Sequence, residues 1–374
     1  MAWRVLSWTL VAMTGLALAI ALARPPIRLA EPSGGRQIED SRHRTISVAT
    51  PFPGSMLLFP PLMAEYFLAT AAPETVLATT SINRASLDGG LLDSVFPGIG
   101  KLAANRTFPT PHAVNLEAAM AARPGAIFIM AWLAPPLDAI GLPTVAVGSA
   151  PREEMIFANA QLFAKTAGRP DRAATLIRAY QQAMTDVAGE VEALGDKERP
   201  SLLDLTIMAD GGIRVQGPQS LSSRLMARAG GRNALTSGIS APRLSAEHIL
   251  SLNPDVILLA PNSATTSAKT VADTAPWNIF PASRHSRVYR QPNGIASGLG
   301  GIIESPLEVR WLAELLHPDR LAPRLRGLMA ETYRGNLQFS PSEDQLDHAL
   351  AIEENRGMAR YQRFARTGTS DVHP

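Results

Sequence analysis

No cysteine occurs among the 374 residues. Disulfides, thiolate metal centres, cysteine nucleophiles and a lipid-bearing N-terminal cysteine are therefore excluded, while any redox compartment remains open. Lysine is scarce, standing only at positions 101, 165, 197 and 269, so the basic residues are mostly arginine. Lys and Arg together number 35 against 33 acids, a formal net charge of +2. No basic cluster is compact enough to neutralise a run of phosphates, and nucleic acid is not an expected partner. At 46% hydrophobic and 18% charged residues the chain is too apolar for extended disorder, and a mean hydropathy of +0.03 is too low for a multi-span membrane protein. Catalytic spacings are missing as well. There is no Gly-x-Ser-x-Gly, His-Glu-x-x-His or Ser-x-x-Lys, and Gly100-Lys101 lacks the glycine and the Ser or Thr of a phosphate loop. The seven histidines, at 43, 112, 248, 285, 317, 348 and 373, form no dense group, which gives no support to a bare-metal site. His112 reads as a surface or structural residue. No enzyme activity and no cofactor is expected.

What is present begins at the N-terminus. Arg4 is the one charge ahead of Val5 to Ala23, a proline-free apolar run ending Ala21-Leu22-Ala23 and followed by Arg24-Pro25-Pro26. The pattern is that of an export signal cleaved after Ala23, which places the mature chain outside the cytoplasm without a lipid anchor. A retained anchor is the alternative, because 19 residues at about 1.5 Å each nearly cross the hydrocarbon core of a bilayer. Residues 24–44 are rich in Pro, Gly and charge without periodicity and read as a flexible leader.

A repeat organises the rest. Asn115-Leu116-Glu117 leads through Pro124 into Ala126-Ile127-Phe128-Ile129, and Ser245-Ala246-Glu247 leads through Pro254 into Val256-Ile257-Leu258-Leu259, at a constant offset of 130 residues. Each copy opens with a capping residue and a first-turn glutamate, suited to the positive end of a helix, and then enters an apolar, β-rich run suited to a buried parallel strand. The spacing implies two similar α/β lobes, whereas a solenoid repeats every 20 to 50 residues. Further strands are expected at Thr45 to Ala49, Thr75 to Thr79, Pro143 to Val147, Ser201 to Met208 and Arg287 to Arg290. Between the lobes, helical periodicity over Arg152 to Leu194, interrupted at Gly168-Arg169-Pro170, predicts a shorter helix and then a long one from Asp171. The expected fold class is α/β: two lobes, each a mostly parallel sheet flanked by helices, joined by a long rigid helix. The boundaries are a signal peptide over 1–23, a leader over 24–44, an N-terminal lobe over 45–150, a linking segment over 151–198, a C-terminal lobe over 199–320 and a helical tail over 321–374. Within that tail Pro323 to Tyr333 and Ser342 to Ile352 read as helices.

Several short motifs, in order, carry a resemblance: Val114-Asn115-Leu116-Glu117 with Arg123-Pro124, Ala229-Gly230-Gly231-Arg232-Asn233, Leu244-Ser245-Ala246-Glu247 with Asn253-Pro254-Asp255, Trp277, Arg287-Val288-Tyr289, and Ser305-Pro306 before Leu316-His317-Pro318. Over about Thr45 to Asp319 the sequence resembles the periplasmic solute-binding proteins of ABC importers for iron-siderophore, cobalamin and similar metal-chelate complexes. One departure is Gly125, where the family usually has Asp, as here at Asp255. The resemblance implies a monomeric periplasmic protein that holds a metal chelate, most often a ferric siderophore but also haem, cobalamin or another metal complex, in a cleft between the lobes and delivers it to a permease dimer. It maps the family's permease-docking glutamates onto Glu117 and Glu247. Ligands of open α/β sheets sit beyond the carboxyl ends of the strands. That rule selects Ser81, Asn83 and Arg84 after one strand, Trp132 after a second, Arg243 before the second repeat helix, and Asn262 and Asn293 after two more. Arg84 and Arg243 suit an anionic chelate through planar donor forks, and Trp132 suits a flat one. An exported enzyme acting on a chelate and a membrane-anchored ligand sensor are the other function classes compatible with these features.

Overall fold

The computed structural model of the protein describes residues 35–49, 54–57, 76–79, 91–95, 115–148, 152–195, 198–238, 242–264, 267–295 and 301–366. The expected signal segment lies outside them. Strands β1 (Arg36–Glu39) and β2 (Thr45–Val48) form an antiparallel hairpin. The leader, expected to run to Arg44, is thus shorter than its composition suggests. Its anchor is Asp40, buried, which accepts hydrogen bonds from the Arg42 and Arg44 amides at 2.9 and 3.1 Å, from the Arg44 guanidinium at 2.8 Å and from the Ala146 amide at 3.2 Å. A buried carboxylate persists only when so paired. Here the pairing fixes the turn against the first lobe.

That lobe carries β3 (Ser55–Leu57), β4 (Val76–Thr79), β5 (Ala126–Met130) and β6 (Thr144–Val147), all parallel in the order β4-β3-β5-β6. Ala126 to Ile129 and Thr144 to Val147 are buried, which is why both strands read as unbroken apolar runs and not as alternating ones. Helix α1 (Leu116–Ala122) precedes β5, its N-terminus capped by Asn115 Oδ1, which accepts from the Ala118 amide at 3.1 Å.

Helices α2 (Glu153–Thr166) and α3 (Pro170–Val191) link the lobes. Pro170 starts α3, where its missing N–H costs nothing. Ala173, Leu176, Tyr180, Met184, Val187 and Val191 recur every three or four residues and are buried, so one stripe faces the core along a helix of 22 residues, roughly 33 Å long. Glu153 joins three elements. Its carboxylate accepts from the Tyr180 hydroxyl of α3 at 2.6 Å and pairs with Arg228 at 2.5 Å, on a helix of the second lobe.

The second lobe holds β7 (Ser201–Ile207), β8 (Ile213–Val215), α4 (Leu221–Arg228), β9 (Arg232–Asn233), β10 (Arg243–Leu244), α5 (Ala246–Leu252), β11 (Val256–Leu259), α6 (Ala268–Asp273) and β12 (Val288–Arg290). The sheet order is β10-β8-β7-β11-β12, with β9 paired to the start of β7. β7, β11 and β12 are parallel, while β8 and β10 add an antiparallel edge. Helix α7 (Gly301–Leu316) is buried almost all round, Trp311 included, and packs on α3. After it come α8 (Leu325–Leu337) and α9 (Glu343–Ala349), as the tail periodicity predicts. The segment beyond α9 covers the edge of β12. There the Asn355 side chain accepts from the Arg290 amide at 2.7 Å and donates to the Arg290 carbonyl at 2.9 Å, occupying an edge that would otherwise expose unpaired backbone groups. Trp277 and Tyr289 are buried as structural residues, the Tyr289 hydroxyl donating to the Ala359 carbonyl at 2.9 Å. Among the described residues no helix is long and apolar enough to cross a membrane.

Candidate functional site

The topology decides which residues share an end of each sheet. β8 runs against β7 and β10 against β8, so β10 ends on the side where β7 ends, and α5 begins there. Ser245 caps α5, its hydroxyl accepting from the His248 amide at 3.2 Å. In the first lobe α1 turns through Arg123-Pro124-Gly125 into β5, so its N-terminus also lies toward the carboxyl end of the strand it precedes. Glu117 and Glu247 are both exposed at these helix starts. The Glu247 carboxyl is held below the ordinary range by hydrogen bonds from its own backbone N–H and from the Ser245 hydroxyl.

Trp132 lies directly after β5, in the 3-10 turn Ala131–Leu133, and is 61% exposed. It therefore stands at the strand end and is not packed beneath a loop. In the second lobe Arg243 is exposed, with its guanidinium 3.7 Å from Asp210 and against the Met208 sulfur at 3.4 Å. Next to it a recess of about 300 Å³ is lined by Ile207, Ile213, Leu244, Glu247, Pro276 and Trp277. Asn262 is exposed on the turn after β11, and that turn is tied to the end of β7 by the Ala264 amide donating to the Ile207 carbonyl at 2.7 Å. Asn293 follows β12, its amide donating to the Ala349 carbonyl at 2.7 Å. Asn83, Arg84 and Ser81 lie outside the described residues.

Sequence reasoning missed the tail's contribution. A second recess, about 170 Å³, combines Pro261, Arg290, Gln291 and Asn293 at the ends of β11 and β12 with His348 and Glu354 from the tail. Arg290 donates to the carbonyls of Pro261 and Ser263 and so supports the turn bearing Asn262. Burial pushes its guanidinium below the usual arginine range, against the opposing pull of Glu354. Arg290 sits in the predicted strand Arg287 to Arg290, yet nothing local marks it as turning toward Asn262. A third recess, about 210 Å³, lies between α3, α7 and α8, on the helical side and away from the strand ends, and is mostly apolar. Among the described residues no three His, Asp or Glu side chains gather where a metal ion would be held. The strand ends thus offer a wide aromatic face, guanidinium groups and amides, a set suited to an organic or anionic surface.

A family model described as "Periplasmic binding protein" matches residues 64–293, more than half of the chain. No curated protein matches the sequence. A periplasmic solute-binding protein from Veillonella parvula is similar in structure at 19% identity and a TM-score of 0.75, over 87% of this chain and 99% of that one. The molybdate periplasmic binding protein MolA of a Haemophilus influenzae ABC transporter is similar at 17% identity and 0.70, over 82% and 99%. Helicobacter pylori CeuE in its Ni-His complex is similar at 14% identity and 0.68, over 85% and 99%. At these identities the neighbours speak for the fold alone, two α/β lobes joined by a long helix, while the family match covers the repeat and its strand ends. The chain belongs to the periplasmic binding protein family.

Proposed function

We propose that the protein captures a metal chelate in the periplasm, a ferric siderophore first among the candidates, between the carboxyl ends of its two sheets, and delivers it to an ABC importer permease. The observation that carries the ligand class is the chemistry at those ends: Trp132 in one lobe, with Arg243, Asn262 and Asn293 in the other, and no gathered metal-ligand set among the described residues. Guanidinium forks and amides recognise carboxylate, catecholate or hydroxamate oxygens around a metal, and an aromatic face stacks on a planar chelator. A bare ion would need a gathered ligand shell instead. The structural neighbours bound to molybdate and to Ni-His are compatible with small metal-bearing cargo. Delivery rests on Glu117 and Glu247, one exposed acid at the same place in each lobe.

Calorimetry of the chain lacking residues 1–23, with a ferric catecholate, a ferric hydroxamate and unchelated metal salts, tests the ligand class. Saturable binding of a chelate, with no binding of the bare ions, is expected. Tight binding of a bare ferric or divalent ion would overturn it. For delivery, the double variant Glu117→Arg, Glu247→Arg is expected to keep chelate affinity and lose uptake in cells. Unchanged uptake by the folded variant would confine both acids to a helix-end role.

A further inference from the structure

The two copies of the repeat agree in more than their caps and acids. Ala119 and Ile249 are both buried, Pro124 and Pro254 are both buried, and Glu117 and Glu247 are both exposed. Three residues after each glutamate stands a large apolar side chain open to solvent: Met120, 46% exposed, and Leu250, 37% exposed. Residues three apart on a helix are neighbours on one face, so each lobe sets an apolar side chain beside its acid. Single exposed apolar residues are ordinary on protein surfaces. The same pairing at the same offset, on helices whose remaining residues differ, is not explained by that. The fully buried side of each helix is supplied by Ala119 and Ile249.

Resting on the transport reading above, we propose that Met120 and Leu250 are the apolar seats of the importer-docking surface. The partner then presents twice, once to each lobe, a basic side chain beside a shallow apolar pocket. An exposed acid–base pair orients the encounter and contributes little to the lifetime of a complex. A desolvated apolar contact next to it slows dissociation, and the acids around it complete a polar rim. A patch repeated on two similar lobes fits a partner that repeats its own surface, two copies of one membrane chain. Leu116, also exposed, widens the patch on the first lobe, where its counterpart is the smaller Ala246. The two seats therefore differ in apolar area, while on a two-fold symmetric partner the two orientations are equivalent.

Because the chain has no cysteine, Met120→Cys and Leu250→Cys each create one labelling site for an environment-sensitive fluorophore, with Gln181→Cys on the exposed face of α3 as reference. Vesicles of the producing bacterium's inner membrane, periplasmic face outward, serve as the probe. Labels at 120 and 250 are expected to shift to the blue with the same saturation curve, and the label at 181 to stay unchanged. The double variant Met120→Asn, Leu250→Asn is expected to bind the vesicles about tenfold more weakly or worse, with its chelate affinity and thermal unfolding unchanged. Silent labels on a protein that still binds, and that loses binding in the Glu117→Arg, Glu247→Arg variant, would overturn the apolar seats and leave the transport reading standing. A response at one position alone would overturn the paired surface. Absence of any saturable binding by the unsubstituted protein would overturn both.

Discussion

Arg123 and Asn253, 130 residues apart, end α1 and α5 in the same left-handed backbone, with φ 46° and ψ 54° in one and φ 46° and ψ 58° in the other. Their amides close the same bond, to the carbonyl three residues back, at 3.2 and 3.1 Å. The duplication thus extends to a conformation that most side chains resist. Asparagine tolerates it, whereas arginine pays a steric cost at Cβ.

The first prediction follows from that asymmetry. Arg123→Gly is expected to stabilise the protein by about 0.5–1 kcal/mol, and Asn253→Gly by less, in denaturant unfolding. Equal effects, or a loss at Arg123, would mean that the arginine side chain makes a compensating contact.

A second concerns the joint between the long helix and the second lobe. Arg310 on α7, its side chain 4% exposed, donates to Glu314 at 2.6 Å and to Glu190 of α3 at 2.7 Å. Glu314 also accepts from the Arg324 and Leu325 amides at 2.8 and 3.0 Å, where α8 begins. Glu314→Ala removes the buried carboxylate partner of the Arg310 Nε–H and the acceptor of two amides, and a loss of about 3–5 kcal/mol is expected. Glu190, 35% exposed on its side chain, is replaced at a cost of about 1 kcal/mol or less. Similar losses for the two variants in chemical unfolding would contradict this division.

Third, burial pushes the Glu304 carboxyl up to about 8, although the Tyr333 hydroxyl at 2.5 Å and the Ile295 amide at 2.8 Å donate to it. Burial and the nearby Asp204 carboxylate push Glu308 to about 8 as well. An acid raised in the native state keeps its proton while the unfolded chain releases one. Its contribution is full below the unfolded value of about 4.3 and is lost as pH rises through the native value. Glu304→Gln, which retains an acceptor for Tyr333 and Ile295, is expected to flatten the fall in melting temperature between about pH 5 and 8. His317, pushed down by burial, works in the opposite direction, so the difference between variant and parent is the quantity to compare. An identical slope would remove Glu304 from the account.

Fourth, Trp132 is exposed while Trp277 and Trp311 are buried. In the chain lacking residues 1–23, iodide quenching is expected to act on Trp132 nearly alone, and Trp132→Phe to abolish it. A chelate at the strand ends is expected to protect Trp132 from iodide. Full quenching of the saturated protein would place the ligand elsewhere.

The strands buried on both faces were legible in the sequence because an apolar run such as Ala126 to Ile129 needs no partner to be recognised. The repeat was legible because cap, acid and proline are local signals. Other features were not. Ile38 is the one buried apolar residue of β1, and Asp40 acquires its role from Ala146, 106 positions away. Asn355 closes the edge of β12 only once the tail has folded back, and the same return brings His348 and Glu354 beside Arg290 and Asn293. The turn Asp210-Gly211-Gly212 joins β7 to β8, with Gly211 at φ 78°. It defines the edge on which Arg243 stands.

The most direct test of the account is native mass spectrometry of the protein isolated from its own periplasm, followed by elemental analysis of what denaturation releases. The account predicts a population heavier than the mature chain by one small organic molecule together with its metal. A bare ion bound without an organic ligand, or a metal-free organic molecule at full occupancy, would contradict it.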